Sequence, residues 1–322
     1  MAHTLCCKWL QHSFHAGYGN IAPSTPEGRI ATIIYACLGI PLLLGSVAAE
    51  ARTPTVAHPA LWEVADPDTT IYLFGTIHLL PQDLQWRTPK LDEVMASSQE
   101  LVVETIVDEK NPTKLMSAMA SLGLAKGLPP IMQRVSAAER PKLAVAIKKS
   151  GVPETAYNSM KTWMAAFLLL GDQFKALGLS GGAEGVLKNA FTSEGKPIGE
   201  LESNVQQLSF FDRLPEPAQL ALLEGAIEDQ KATSAEFSGM LDAWSKGDVK
   251  GIAQTFDREL SESPALQQDL IRQRNANWSK WIEQRMDRPG TVMIAVGAGH
   301  LAGKYSVLEM LKRDGYRVRR LQ

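Results

Sequence analysis

Cysteine is nearly absent from this chain of 322 residues, with Cys6, Cys7 and Cys37 the whole supply. Nothing after position 37 can build a disulfide framework or a thiolate metal site. Histidine is almost as scarce: His3, His12 and His15 lie near the amino terminus, and beyond residue 52 only His58, His78 and His300 are available for imidazole chemistry. An excess of either charge is lacking too, with 33 Lys and Arg against 35 Asp and Glu, which excludes a basic nucleic-acid binder held by phosphate contacts. There is no repeat of fixed period, no low-complexity tract, and no His-Glu-x-x-His of the usual zinc-protease helix. What remains is 45% hydrophobic and 21% charged residues, enough for a folded body with one large core or two modest ones.

Residues 1 to 52 form an island of different composition. They carry only Lys8, Glu27, Arg29, Glu50 and Arg52 as charges, and Ile30 to Ala49 is uncharged over 20 residues, about the length that crosses a bilayer core. Small residues at its end (Gly45-Ser46-Val47-Ala48-Ala49-Glu50-Ala51) resemble the close of a secretory signal. The long stretch before it and the kink-forming Pro41 suit an uncleaved signal anchor instead. Lys8 and Arg29 ahead of the run favour a cytoplasmic amino terminus and an exported body, secreted or membrane-anchored.

Gly17-Tyr18-Gly19-Asn20-Ile21-Ala22-Pro23 through Arg29, continuing into Ile33-Ile34-Tyr35-Ala36-Cys37-Leu38-Gly39-Ile40-Pro41-Leu42, resembles the filter and following helix of a two-pore-domain potassium channel. Such filters present backbone carbonyls after Thr-x-Gly-Tyr-Gly, whereas His15-Ala16 stand here in place of Thr-x. One filter segment cannot make a pore, so the expectation is a chimeric gene or a mispredicted first exon rather than a channel fragment that conducts.

From residue 53 the chain reads as one α/β domain, a mostly parallel or mixed sheet flanked by helices with a long helical insertion. Short β-prone runs at Thr70 to Phe74, Glu100 to Val103, Pro197 to Leu201 and Thr291 to Val296 predict strands, and Tyr316 to Leu321 an edge strand. Helices are predicted over Pro89–Ser98, Pro112–Ser121, Ala137–Lys149, Ser159–Leu177, Glu184–Ser193, Pro217–Asp229, Ser234–Lys246, Pro264–Met286 and Tyr305–Asp314.

Two of these strands run into the same motif. Gly75-Thr76-Ile77-His78 and Gly297-Ala298-Gly299-His300 each follow an apolar run, and glycine is expected there to permit the turn that delivers each histidine to the sheet's end. Two such imidazoles can converge on a divalent cation such as zinc, manganese or cobalt; each can equally cap a turn. Glu104 closes Leu101-Val102-Val103 and should emerge at a strand end too, as a metal ligand, a general base or a solvated loop residue. Glu202 stands in the same relation to its strand, with Glu200 as competitor. Arg274 falls in the middle of an apolar helix face of Leu266, Leu270, Ile271, Trp278, Trp281 and Ile282. It needs Glu104, Glu184, Glu202 or a bound anion as partner, unless it snorkels past the tryptophans. The Met116, Met119 and Met132 group, Leu168 to Leu170, and the Trp163–Phe167 pair are expected in the core or lining a pocket, and His58 in solvent.

Leu61-Trp62-Glu63-Val64, Gly75 to His78, Val103-Glu104, Gly195-Lys196-Pro197 with Leu201-Glu202, Arg274-Asn275 and Gly297 to His300 together make residues 60 to 322 similar to the TraB/GumN family, related to the TIKI metalloproteases. The resemblance implies a metal site at His78, Glu104 and His300, with Glu184, Glu202 and Arg274 close by as substrate or neighbouring residues. It implies peptide or amide hydrolysis, in which Glu104 takes a proton from metal-bound water and Arg274 steadies the oxyanion. The family also includes members associated with peptide pheromones and polysaccharide genes, so a non-catalytic peptide-binding or signalling protein is the alternative.

Overall fold

The computed structural model describes residues 56–81, 83–107, 113–176, 180–228, 230–260 and 263–322. The apolar run and the filter-like stretch of the leader lie outside them. The first half of the body contains β1 (Leu61–Ala65), β2 (Thr69–Thr76), β3 (Leu79–Leu80), α1 (Pro89–Ser97) and β4 (Glu100–Val103). A helical insertion follows: α2 (Thr113–Gly123), α3 (Ile131–Arg134), α4 (Arg140–Ser150), α5 (Glu154–Tyr157), α6 (Thr162–Ala176), β5 (Ser180–Gly181) and α7 (Ala183–Ser193). Then come β6 (Ile198–Glu200), α8 (Asn204–Asp212), α9 (Glu216–Ala226), α10 (Gln230–Ser245), α11 (Val249–Leu260) and α12 (Pro264–Leu266). A π-helical turn (Gln267–Arg272), α13 (Gln273–Met286), β7 (Gly290–Gly297), a 3-10 turn (Ala298–Leu301), α14 (Val307–Arg313) and β8 (Val318–Arg320) complete the body.

Among the described residues, six strands form one mixed sheet in the order β6-β4-β7-β2-β1-β8. The four from β6 to β2 are mutually parallel, and β1 is antiparallel to both β2 and β8. The central pair is long: β2 runs beside β7 from Thr69 opposite Gly290 to Thr76 opposite Gly297. Side chains alternate as a pleated strand requires. Ile71 and Leu73 face a core with Val292, Ile294, Trp278 and Leu311, while Phe74 faces the larger core that the helical insertion fills. Each such apolar side chain contributes about 1.5–3 kcal/mol by leaving water.

The α/β fold and its insertion match the sequence expectation, and differences have local causes. β1 was not among the expected strands because both its faces are buried at Leu61, Trp62 and Val64, which erases the alternation. The short α3 and α5 carry no helical period. α8 and α11 were missed although each carries a signal: Ser203 and Gln206 form a capping box at the start of α8, and Ile252, Phe256 and Leu260 recur on the buried face of α11. The helix expected unbroken over Pro264–Met286 is interrupted by the π turn. Met116 is exposed rather than core. Trp163 and Phe167 pack edge to face, and His58 is exposed, as expected.

Candidate functional site

The parallel strands β6, β4, β7 and β2 all point their carboxyl ends at one edge, and the chemistry-bearing residues follow those ends. Val103 pairs with Ala295 and with Glu200, so Glu104 and Glu202 leave the sheet side by side, joined by the hydrogen bond from Glu202 N to Glu104 O at 2.9 Å. Register settles the choice between the two candidate glutamates. Glu200 is exposed and accepts from the Ile106 amide at 2.7 Å, whereas Glu202 turns inward and is 6% exposed.

Arg274 meets them from α13 and is wholly buried. Its Nε donates to Glu202 Oε1 at 3.0 Å and Oε2 at 3.2 Å, and its Nη2 donates to Glu104 Oε2 at 2.6 Å and to Glu202 Oε1. Nη1 lies 3.1 Å from His300 Nε2. The guanidinium stands 4.7 Å from the Trp278 ring, and Phe210 lies 5.9 Å away. Of the partners expected for Arg274, the structure selects Glu104 and Glu202, while Glu184 pairs elsewhere.

The geometry fixes the His300 tautomer. A guanidinium only donates, so His300 Nε2 must accept, and the ring proton must sit on Nδ1, which faces Asn275 Oδ1 at 2.6 Å. Asn275 is held in turn through Nδ2, which donates to Tyr305 O at 2.7 Å. Burial, followed by the Arg274 charge, pushes the His300 pKa down to about 3, so the ring is neutral at pH 7.

Glu104 is 1% exposed. Its Oε1 accepts the Gly297 amide at 2.6 Å, and its Oε2 accepts Gln207 Nε2 at 3.3 Å besides Arg274. Burial alone would raise its pKa, but Arg274, the two imidazoles and the Gly297 amide hold it down at about 2. Glu202 behaves oppositely. Burial pushes its carboxyl above the ordinary range even though Arg274 and the Trp278 indole pull it down. One guanidinium is shared by two buried carboxylates, and Glu104, with its extra donors, is the more firmly ionised of the two.

His78 enters from the end of β2. Its Nδ1 lies 3.3 Å from Glu184 Oε2 on α7, and Glu184 is also 3.9 Å from Lys188 Nζ. Its Nε2 is buried and has no hydrogen-bond partner among the described residues. Burial lowers its pKa, and Glu104 and Arg274 both act on it electrostatically. α7 is brought close because Gly182 has no side chain: a Cβ there would collide with the Ile77 carbonyl and the His78 backbone.

The motif glycines do a different job from the one expected. Gly75, Gly297 and Gly299 do not adopt a positive φ. They provide space instead, since a Cβ at Gly75 would lie 3.0 Å from Ala298 Cα, and one at Gly299 would strike the Phe256 ring. Sequence reasoning also missed roles for Asn275 and Gln207. The first was visible only as a neighbour of Arg274, and the second lies on a helix that was not foreseen.

Among the described residues, no three His, Asp or Glu side chains are gathered at metal-holding distance, and Arg274 bridges Glu104 and His300. The donor chemistry nonetheless fits a divalent cation. Both imidazoles are held neutral, each has Nδ1 beside a side-chain oxygen and Nε2 left as the working nitrogen, and Glu104 is held ionised. Anchoring of the far nitrogen in this way is the usual arrangement behind metal-ligating histidine.

Imidazoles and carboxylates at the carboxyl edge of a mixed sheet define an α/β protein with a buried, charge-dense strand-end site. The chain belongs to the TraB/PrgY/gumN family, which matches residues 60–320. It is 26% identical over 243 residues to the uncharacterized protein YbaP of Escherichia coli (strain K12), covering 75% of this chain and 87% of that one, and equally to YbaP of Shigella flexneri. Residues 16–55 match an ion-channel family. No solved structure matches. Among the described residues no helix is long and apolar enough to cross a membrane.

Proposed function

We propose that this protein is a metal-dependent hydrolase of peptide or amide bonds, working at the carboxyl edge of the sheet with His78, Glu104 and His300 as the metal-holding set. The observation that carries the reading is the buried Nε2 of His78, without a hydrogen-bond partner among the described residues, on a ring held by Glu184 from behind and acted on electrostatically by Glu104 and Arg274. A divalent zinc, manganese or cobalt ion, when bound, would supply Lewis acidity and a water of lowered pKa.

The chain's own groups divide the remaining work. Glu184 and Asn275 fix the two rings with Nε2 presented. Glu104 stays ionised and suits a ligand; its low pKa makes it a weak base. Carboxyls whose surroundings push their pKa values apart mark out acid and base roles, so the proton-taking role passes from Glu104 to Glu202. Arg274 is the group able to steady an oxyanion. The substrate is a peptide or protein reached on the exported side of a membrane, where residues 30–49 would anchor the chain.

The test is turnover of a peptide library by the metal-supplemented protein beside His78→Ala and His300→Ala. New amino termini released only by the parent support hydrolysis. Peptides retained by all three without cleavage support the alternative, a peptide-binding protein of the same family.

A further inference from the structure

We infer that the Arg274 guanidinium and a divalent cation are alternative occupants of the same two donor atoms, His300 Nε2 and Glu104 Oε2, so that Arg274 is a built-in competitor of the metal. This rests on the metal-binding reading of the same site.

His300 Nδ1 is committed to Asn275 at 2.6 Å, so the ring has one lone pair, on Nε2, and Arg274 Nη1 lies 3.1 Å from it. A cation coordinated by His300 would need that lone pair. Glu104 repeats the conflict: Oε1 is tied to the Gly297 amide at 2.6 Å, and Oε2 receives Arg274 Nη2 at 2.6 Å. The same guanidinium edge therefore covers a donor on each of the two residues. Two cations crowded into a wholly buried site repel strongly, because little water screens them.

Arg274 also has somewhere to remain when that edge is displaced. Nε is held by both oxygens of Glu202, at 3.0 and 3.2 Å, and the guanidinium lies beside Trp278 and Phe210. Turning about the Glu202 anchor releases His300 and Glu104 without leaving the charge unpaired. His78 Nε2 is not covered by Arg274 or by any other described hydrogen-bonding group, so it would be the first donor open to an arriving cation.

The experiment measures metal affinity rather than activity. Zinc, manganese and cobalt are titrated singly into the full chain by competition with a chelating dye, for the parent, Arg274→Lys, and the double variant Arg274→Met with Glu202→Gln. The double variant removes the buried pair together, which such sites tolerate far better than loss of one partner. The expected result is affinity about tenfold or more tighter in the double variant, from the lost repulsion, with Arg274→Lys in between because lysine cannot fork across both donors. Equal affinity in parent and double variant, with circular dichroism unchanged, would overturn the competition while leaving the metal site standing. Weaker binding in the double variant would overturn it by showing that Arg274 assists the metal. Binding by none of the three would overturn both the competition and the metal reading.

Discussion

Replacing Arg274 by methionine is the sharpest perturbation of the folded state. The change preserves most of the side-chain volume and deletes the guanidinium charge that compensates Glu104 and Glu202, which are 1% and 6% exposed. Breaking a buried ion pair from one side costs about 3–5 kcal/mol. The loss is limited by proton uptake. If one of the two carboxyls is neutralised from an ordinary pKa of 4.5 at pH 7, the 2.5-unit gap costs about 3.4 kcal/mol at about 1.36 kcal/mol per unit. The penalty should therefore be about 3 kcal/mol at pH 7 and shrink by about 1.4 kcal/mol for each unit of acidification toward pH 5. Adding Glu202→Gln supplies the neutral partner in advance, and should restore about 2 kcal/mol at pH 7 while removing most of the pH dependence. Equilibrium urea unfolding followed by tryptophan fluorescence, at three pH values for parent, single and double variants, reads all of this. A single-variant loss below about 1 kcal/mol, or one that does not change with pH, would refute the picture of two buried carboxylates sharing one cation.

The parent protein should itself lose stability as pH falls. The unfolded His300 takes a proton below pH 6.5 while the folded one resists until about 3, and the unfolded Glu104 takes one below 4.5 while the folded one resists until about 2. In both windows the unfolded chain holds more protons, so the sign is loss on acidification, at about 1.4 kcal/mol per pH unit per group. His78 adds to the upper window, and Glu202, with its raised pKa, works against that same window above pH 4.5 and leaves the lower one untouched. A flat urea midpoint between pH 6.5 and 4 would contradict the burial of these groups. Gly182→Ala should push α7 off the Ile77–His78 backbone, costing about 1–3 kcal/mol and metal affinity out of proportion to that loss; unchanged metal affinity would disconnect α7 from the site. Glu200→Ala should remove the exposed bond to the Ile106 amide and the long one from the Thr105 hydroxyl and change stability by about 1 kcal/mol or less, in contrast to Glu202→Ala, and equal effects in denaturant titrations would reverse the register argument.

The sheet was legible where its strands are long and apolar on both faces, as in β2 and β7, because parallel pairing between helices demands that pattern. β1 was hidden because it is short and buried on both faces at Leu61, Trp62 and Val64. The histidines and Glu104 could be placed from the strands they terminate, and Arg274 from its misplaced charge on an apolar face. What one dimension could not carry was inequivalence. His78 and His300 close matching motifs, yet one has a carboxylate behind it and an open Nε2, and the other has an amide behind it and a guanidinium in front. That difference is made by Glu184 on α7 and by Arg274 and Asn275 on α13, helices far apart in sequence from each other and from β2.

The central claim is that His78 and His300 serve one cation site, and metal content tests it most directly. Protein purified without chelator, and again after titration with zinc, manganese and cobalt, would be analysed by mass spectrometry beside its His78→Ala, His300→Ala form, with circular dichroism confirming that both are folded. The account predicts about one equivalent of metal in the parent and none in the double variant. No metal in the parent under any of these conditions, or equal metal in both proteins, would contradict it.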